Sequence, residues 1–241
     1  FFNKEMIVPD QDKIKDLSRK NIAANTKDFF RGIVLTLKNK PFLKLCGATF
    51  FIFNGFQTIS QFAFFIIVYY LFNGDTNAAG TWPAWFGTAS AIGTAFLVIP
   101  IVTKLSVKFG KKNAFIIATL ISIIGYVLKW WGFDPDNLWL MFMPIPFLSF
   151  VIGGLFTLMM SMTADVCDLD ELNNGERREG MFGAVYWWMV KLGIAIAMLT
   201  SGVILHLVGF DESIDVQSME ALTNLRLADI IIPVVAAILA I

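Results

Sequence analysis

Leu45–Phe72 reads LCGATFFIFNGFQTISQFAFFIIVYYLF and contains no charged residue. A helix rises about 1.5 Å per residue, so about 20 apolar residues cross the roughly 30 Å of hydrocarbon in a bilayer. Every backbone amide is then satisfied within the helix, and the stretch exceeds the required length with room for tilt. Asn77–Thr103 and Asn137–Ala164 are equally free of charge. Asn113–Phe133 is interrupted only by Lys129, next to Trp130 and Trp131, which reads as a snorkelling lysine and an aromatic belt at a helix end. Met181–Phe210 is apolar apart from Lys191, and Ile230–Ile241 reads as the start of a further span. The expectation is an all-α integral membrane protein. Its spans fall at about 43–72, 82–104, 113–133, 137–164, 181–209 and an incomplete 227–241, behind a linker over 1–41.

The composition agrees. Of 241 residues, 56% are hydrophobic and 16% charged, against about a quarter charged in an ordinary soluble domain. Nineteen basic and nineteen acidic side chains leave no net charge, so no nucleic-acid partner is indicated. Cys46 and Cys167 lie on different segments, and a single histidine, His206, with no ligand cluster around it gives no metal site. The chain starts at Phe1 and ends inside an apolar stretch, and reads as truncated at both ends.

Lysine and arginine set the orientation, because cytosolic loops retain them. Residues 1–44, the 104–112 loop and the 165–180 loop carry sixteen of the nineteen, while the alternate loops at 73–81, 132–137 and 211–225 carry none. The N-terminal segment is therefore expected in the cytosol. Within it Phe30, Ile33, Val34 and Leu37 recur at helical spacing. This gives either a helix on the membrane surface or one packed on the bundle, ended by Asn39-Lys40-Pro41.

Three groups of residues could carry chemistry. Lys191 lies ten positions into its span, about 15 Å deep, where an unpaired lysine costs at least about 2.5–3.5 kcal/mol. It should face a polar cavity or an acidic partner, with Trp187 and Trp188 on its face and Tyr186 beside them. Its alternative role is a structural ion pair, yet no Asp or Glu reads as deep in a complete span, and Asp229 falls at a span end. Asn54, Gln57 and Gln61 form one stripe on the first span. Their amides suit a hydroxyl-rich ligand such as a sugar, or serve as hydrogen-bonded packing between helices. Gly87, Ala91, Ala95, Gly93 and the Gly153-Gly154 pair read as close-packing positions.

The third group is the stretch Ala164–Gly180, ADVCDLDELNNGERREG, read as a loop dense in charge of both signs. Asp165, Asp168, Glu171, Arg177, Arg178 and Glu179 could form ion pairs that close a cytosolic gate and break when it opens. As plain solvated pairs they would each be worth about 0–1 kcal/mol.

Asp165-x-x-Asp168-x-x-Glu171-x-x-x-Gly175-x-Arg177-Arg178-Glu179-Gly180, continuing through Met181-Phe182-Gly183-Ala184-Val185 to Lys191-x-Gly193, resembles the glycoside–pentoside–hexuronide:cation symporter family of the major facilitator superfamily. The basic Leu105–Lys112 segment resembles the short inter-helix motif of that superfamily. Leu169 departs from the pattern, since members often have an aromatic residue there. The resemblance implies the C-terminal six-helix bundle of a twelve-helix alternating-access carrier, moving a sugar or glycoside with Na⁺ or H⁺ across the cytoplasmic (inner) membrane. It places Lys191 near the cation and sugar sites. The acidic cation ligands it implies belong to the N-terminal half, which makes that half a partner of this one alongside the lipid bilayer. No cofactor besides the coupling ion is implied. The remaining readings are a carrier of lysolipids or other amphiphiles, a non-transporting receptor, and a membrane enzyme, for which His206 is a poor catalytic candidate.

Overall fold

The computed structural model describes residues 19–241 except 176 and 212, and among these residues every regular element is helical. We number the elements α1 (Arg19–Lys38), α2 (Lys40–Leu71), α3 (Thr76–Phe109), α4 (Lys111–Gly132), α5 (Leu138–Asn174), α6 (Glu179–Leu207) and α7 (Met219–Ala240). The six from α2 to α7 are long and apolar enough to cross a membrane, and they form the expected bundle. The first eighteen residues of the expected linker lie outside the described residues.

Local chemistry fixes where the helices begin and end. Asn39 caps α2 by accepting from the Phe42 amide at 3.1 Å, with Pro41 in the first turn, where its missing N–H costs nothing. Asp75 caps α3 by accepting from the Asn77 and Ala78 amides, each at 2.9 Å. Gly110 and Gly175, with φ of 80° and 69°, take the left-handed backbone that stops α3 and α5.

Two boundaries differ from the sequence reading. The charged stretch after Ala164 is not a single loop: α5 continues through Asn174 and α6 begins at Glu179. Apolar length measures the part of a helix inside hydrocarbon, and nothing requires the helix to stop where the hydrocarbon does. For the same reason α7 starts at Met219 rather than near 227 and runs for 22 residues, the length of a full span. The amphipathic α1 likewise begins at Arg19, upstream of Lys27.

Helix α1 packs on the bundle, the second of its two readings. Gly32 seats it on α6, where an added Cβ would fall 2.5 Å from the Met181 side chain. Thr36 is fully buried, and Ile33 and Leu37 pack on the bundle core. On its other side Phe30 is 60% and Val34 51% exposed.

The bundle closes through small residues, as membrane helices do when backbones approach. Gly55 of α2 meets Ala236 and the Pro233 backbone of α7, and Gly193 of α6 meets the Phe50 carbonyl of α2. Gly125 of α4 meets the Leu148 amide of α5, and Gly153 of α5 meets Val98 of α3. Gly153, Gly154 and Gly93 are thus packing positions, whereas Gly87 has no atom within 4 Å of its Cβ position. With Ala91 and Ala95 it lines a 560 Å³ cavity between α2, α3 and α5. One core cluster gathers around Phe42, Phe182 and Leu158 toward the end that carries α1, and a second around Phe62, Ile66, Tyr126 and Leu225 toward the other end. We call these the basic end and the far end.

Candidate functional site

Packing of α6 on α2 decides where Lys191 points. The buried residues of α6, Phe182, Tyr186, Val190, Gly193, Ala197 and Ser201, form one stripe, and Lys191 lies two residues, about 200° of helix, from Gly193. It is exposed, on the side of α6 turned away from α2. Among the described residues no carboxylate lies within ion-pair distance of it. Trp187 and Trp188 flank it, 45% and 58% exposed. Tyr186 lies under them in the core, 5.7 Å edge-on from the Trp187 ring.

Asn54, Gln57 and Gln61 are half-buried on α2, and none of their amide side chains has a hydrogen-bond partner among the described residues. The structure brings the Asn54 backbone to Gly193 but does not join the stripe to Lys191, which occupies the opposite face of α6.

At the basic end the charges pair within the bundle. Lys111 at the start of α4 reaches Asp165 of α5 at 2.6 Å. Arg177 bridges Glu171 and Glu179, each at 3.2 Å, and the Glu179 hydrogen bond together with the charge of Glu171 pushes its guanidinium above the ordinary arginine value. Arg178 sends Nε and Nη2 to one oxygen of Asp170, at 3.0 and 2.6 Å. Asp168 has no ion-pair partner among the described residues. Asp170, absent from the sequence-derived set, is the centre of this end: it is 5% exposed and its other oxygen accepts from Asn174 at 3.0 Å and Asn39 at 3.4 Å. One carboxylate thus ties α5, the start of α6 and the cap of α2. The i, i+4 spacing of Asp170 and Asn174 was the available signal.

The far end holds a second arrangement that sequence reasoning placed wrongly. Lys129 does not snorkel: it is 1% exposed, 2.6 Å from Oδ2 of an equally buried Asp229. Its aligned N–H goes to the Asp229 backbone oxygen at 2.7 Å, and neither carboxylate oxygen accepts a hydrogen bond among the described residues. Asp229 lies ten residues into α7, level with Lys129 three residues from the end of α4. Beside it Arg226 donates to the Trp130 and Phe133 carbonyls between the Tyr70 and Trp130 rings, 4.2 and 4.5 Å from their centroids. Among the described residues no three His, Cys, Asp or Glu side chains converge as metal ligands would.

Comparison with known proteins supplies the family. The profile of the family described as MFS/sugar transport protein matches residues 7–241. The chain belongs to that family. Among relatives of this MFS/sugar transport chain, a glucuronide carrier protein homolog of Escherichia coli (strain K12) is 27% identical over 204 residues, 82% of this chain and 42% of that protein. An isoprimeverose transporter of Lactiplantibacillus pentosus is 26% identical over 203 residues, 82% of this chain and 40% of that protein. An uncharacterized symporter of Synechocystis sp. is 30% identical over 141 residues, 56% of this chain and 26% of that protein. The chain spans less than half the length of these relatives. Their names are those of carriers and symporters, not of enzymes, in line with the reading against a membrane enzyme.

Proposed function

We propose that this chain supplies six helices of a twelve-helix alternating-access carrier that moves a sugar or glycoside together with Na⁺ or H⁺. The observation that carries the proposal is Lys191. It is about 18 Å from the start of α6 and about 24 Å from its end by helical rise, exposed and unpaired. Left in hydrocarbon it would cost at least about 2.5–3.5 kcal/mol, so its face of α6 meets polar groups outside these helices. A second six-helix body across a shared midplane cavity provides them. In this reading Trp187 and Trp188 offer stacking surface beside the charge, and the unbonded amides of Asn54, Gln57 and Gln61 give donors and acceptors for hydroxyl groups. The basic end lies in the cytosol of an inner membrane, where Asp168 and the outer edges of the Arg177 cluster meet the other body as a gate.

The test is uptake by the full-length carrier in vesicles, with radiolabelled glycosides and an imposed Na⁺ or H⁺ gradient. Lys191→Ala is expected to abolish or uncouple uptake while the protein remains inserted, and wild-type coupled uptake in that variant overturns the role of the lysine. The 560 Å³ cavity, lined largely by apolar side chains such as Phe56, Phe64 and Ile152, favours a second reading in which the cargo is a lysolipid or another amphiphile. Labelled lysolipid uptake without glycoside uptake would select it.

A further inference from the structure

A 500 Å³ cavity at the basic end lies between α1 and the α5–α6 junction, and none of the assignments above uses it. Its lining is unlike that of the other large cavities. Arg31, Lys38 and Arg178 contribute three cations, and Asn39, Asn173 and Asn174 contribute side-chain amides. The single carboxylate, Asp170, is already held by Arg178. Arg31 and Lys38 have no ion-pair partner among the described residues. They stand at i and i+7 on α1 with Leu35 between them, so the helix presents them along one face. Arg178 is fixed by its two bonds to Asp170, which spend Nε and Nη2 and leave Nη1 unbonded among the described residues. With three cations against one carboxylate, the cavity is complementary to an anion with several acceptor oxygens, and a phosphate group is the fit such cations make best.

The same helix indicates the source of the phosphate. Phe30 and Val34, on the face of α1 next to Arg31 and Lys38, are exposed apolar side chains beside a bundle built to span a bilayer. A helix with apolar residues on one side and cations on the other settles at the boundary between acyl chains and headgroups, which is the depth of a lipid phosphate. We propose that this cavity binds the phosphate headgroup of an anionic phospholipid, with Arg31, Lys38 and Arg178 as the charge partners and Phe30 and Val34 against the acyl region. Bound lipid holds α1 against the α5–α6 junction.

Native mass spectrometry of the detergent-purified protein, with phosphatidylglycerol and phosphatidylcholine in competition, tests this. The wild type is expected to retain phosphatidylglycerol in preference. Arg31→Gln and Lys38→Gln should each weaken that retention about fivefold, in line with about 1 kcal/mol per basic residue at an anionic surface, and the double variant about 25-fold. Lys104→Gln with Lys108→Gln, exposed lysines of α3 away from the cavity, should leave it unchanged. Equal retention of the two lipids, or equal losses in the α3 control, overturns the proposal. Displacement of phosphatidylglycerol by inorganic phosphate at similar concentration also overturns it, since the site would then take the free anion.

Discussion

Removing Lys129 should damage the bundle more than neutralising its partner, because the two changes leave different groups stranded. In Lys129→Met the Asp229 carboxylate keeps its place, 1% exposed, and loses the one cation within ion-pair reach among the described residues. Arg226 does not replace it, being committed to the Trp130 and Phe133 carbonyls. Breaking a buried pair in this way costs about 3–5 kcal/mol. In Asp229→Asn, by contrast, Lys129 keeps the residue 229 backbone oxygen, at 2.7 Å, and gains a neutral amide oxygen in place of the carboxylate. That loss is nearer the about 1–3 kcal/mol of a hydrogen-bonded charge with a weakened partner. The double variant Lys129→Met/Asp229→Leu fills the same volume with apolar atoms and should fall within about 1 kcal/mol of the wild type, or above it. Unfolding by SDS titration, followed by tryptophan fluorescence with Trp130 and Trp131 as neighbouring reporters, ranks the three. A Lys129→Met cost below about 1 kcal/mol, the range of a solvated pair, would refute the reasoning. A double variant costing the sum of the two singles would refute it equally.

Asp170→Ala should lower thermal stability in detergent by about 1–3 kcal/mol, because it strands a mostly buried Arg178 and frees Asn39 and Asn174 together, whereas Asp165→Ala, whose pair with Lys111 is about half exposed, should cost about 0–1 kcal/mol. Equal effects would show that Asp170 is not the junction described. Gly125→Ala would set a Cβ 2.7 Å from the Leu148 amide nitrogen and should cost about 1–3 kcal/mol through displaced backbone. Gly183→Ala, with no atom within 4 Å, should be neutral or stabilise by up to about 1 kcal/mol through helix propensity, and the reverse ranking in a melting experiment would overturn the packing scheme.

The fold was legible because hydrophobic length is a direct readout of the bilayer, and Leu45–Phe72 alone was enough to choose the class. The same signal misplaced helix ends wherever a helix left the hydrocarbon, as at Asn174 and Met219, since polar residues outside lipid neither continue nor stop a helix by composition. Lys191 was legible as a site candidate because depth alone makes its charge expensive. Its direction was not, since which face of α6 meets α2 depends on Gly193 and the Phe50 carbonyl, a contact between distant segments. Lys129 was misread because Trp130 and Trp131 imitate an interfacial belt. The acid that reverses the reading is a hundred residues away on α7, and only the packing of α4 against α7 brings them together. Asp170 was overlooked among its charged neighbours because all of them look alike in sequence, while burial singles out one.

Four charges sit on the spanning helices away from the charged basic end: Lys129, Lys191, Arg226 and Asp229. The bundle itself answers three of them, Lys129 and Asp229 by each other, and Arg226 by two carbonyls and two rings. These tie α4, α7 and the end of α2, just as Asp170, Arg178, Lys111 and Asp165 tie α4, α5, α6 and the start of α2 at the basic end. A body cross-tied at both ends resists internal rearrangement, because the Lys129–Asp229 and Arg178–Asp170 ties are buried and the loss of either leaves an unpaired charge. Motion in such a body is cheapest at the surfaces where no tie has been made, and within the spans that surface is the face of α6 carrying Lys191. The lysine whose charge the bundle leaves unanswered therefore lies on the face along which the proposed carrier would rock.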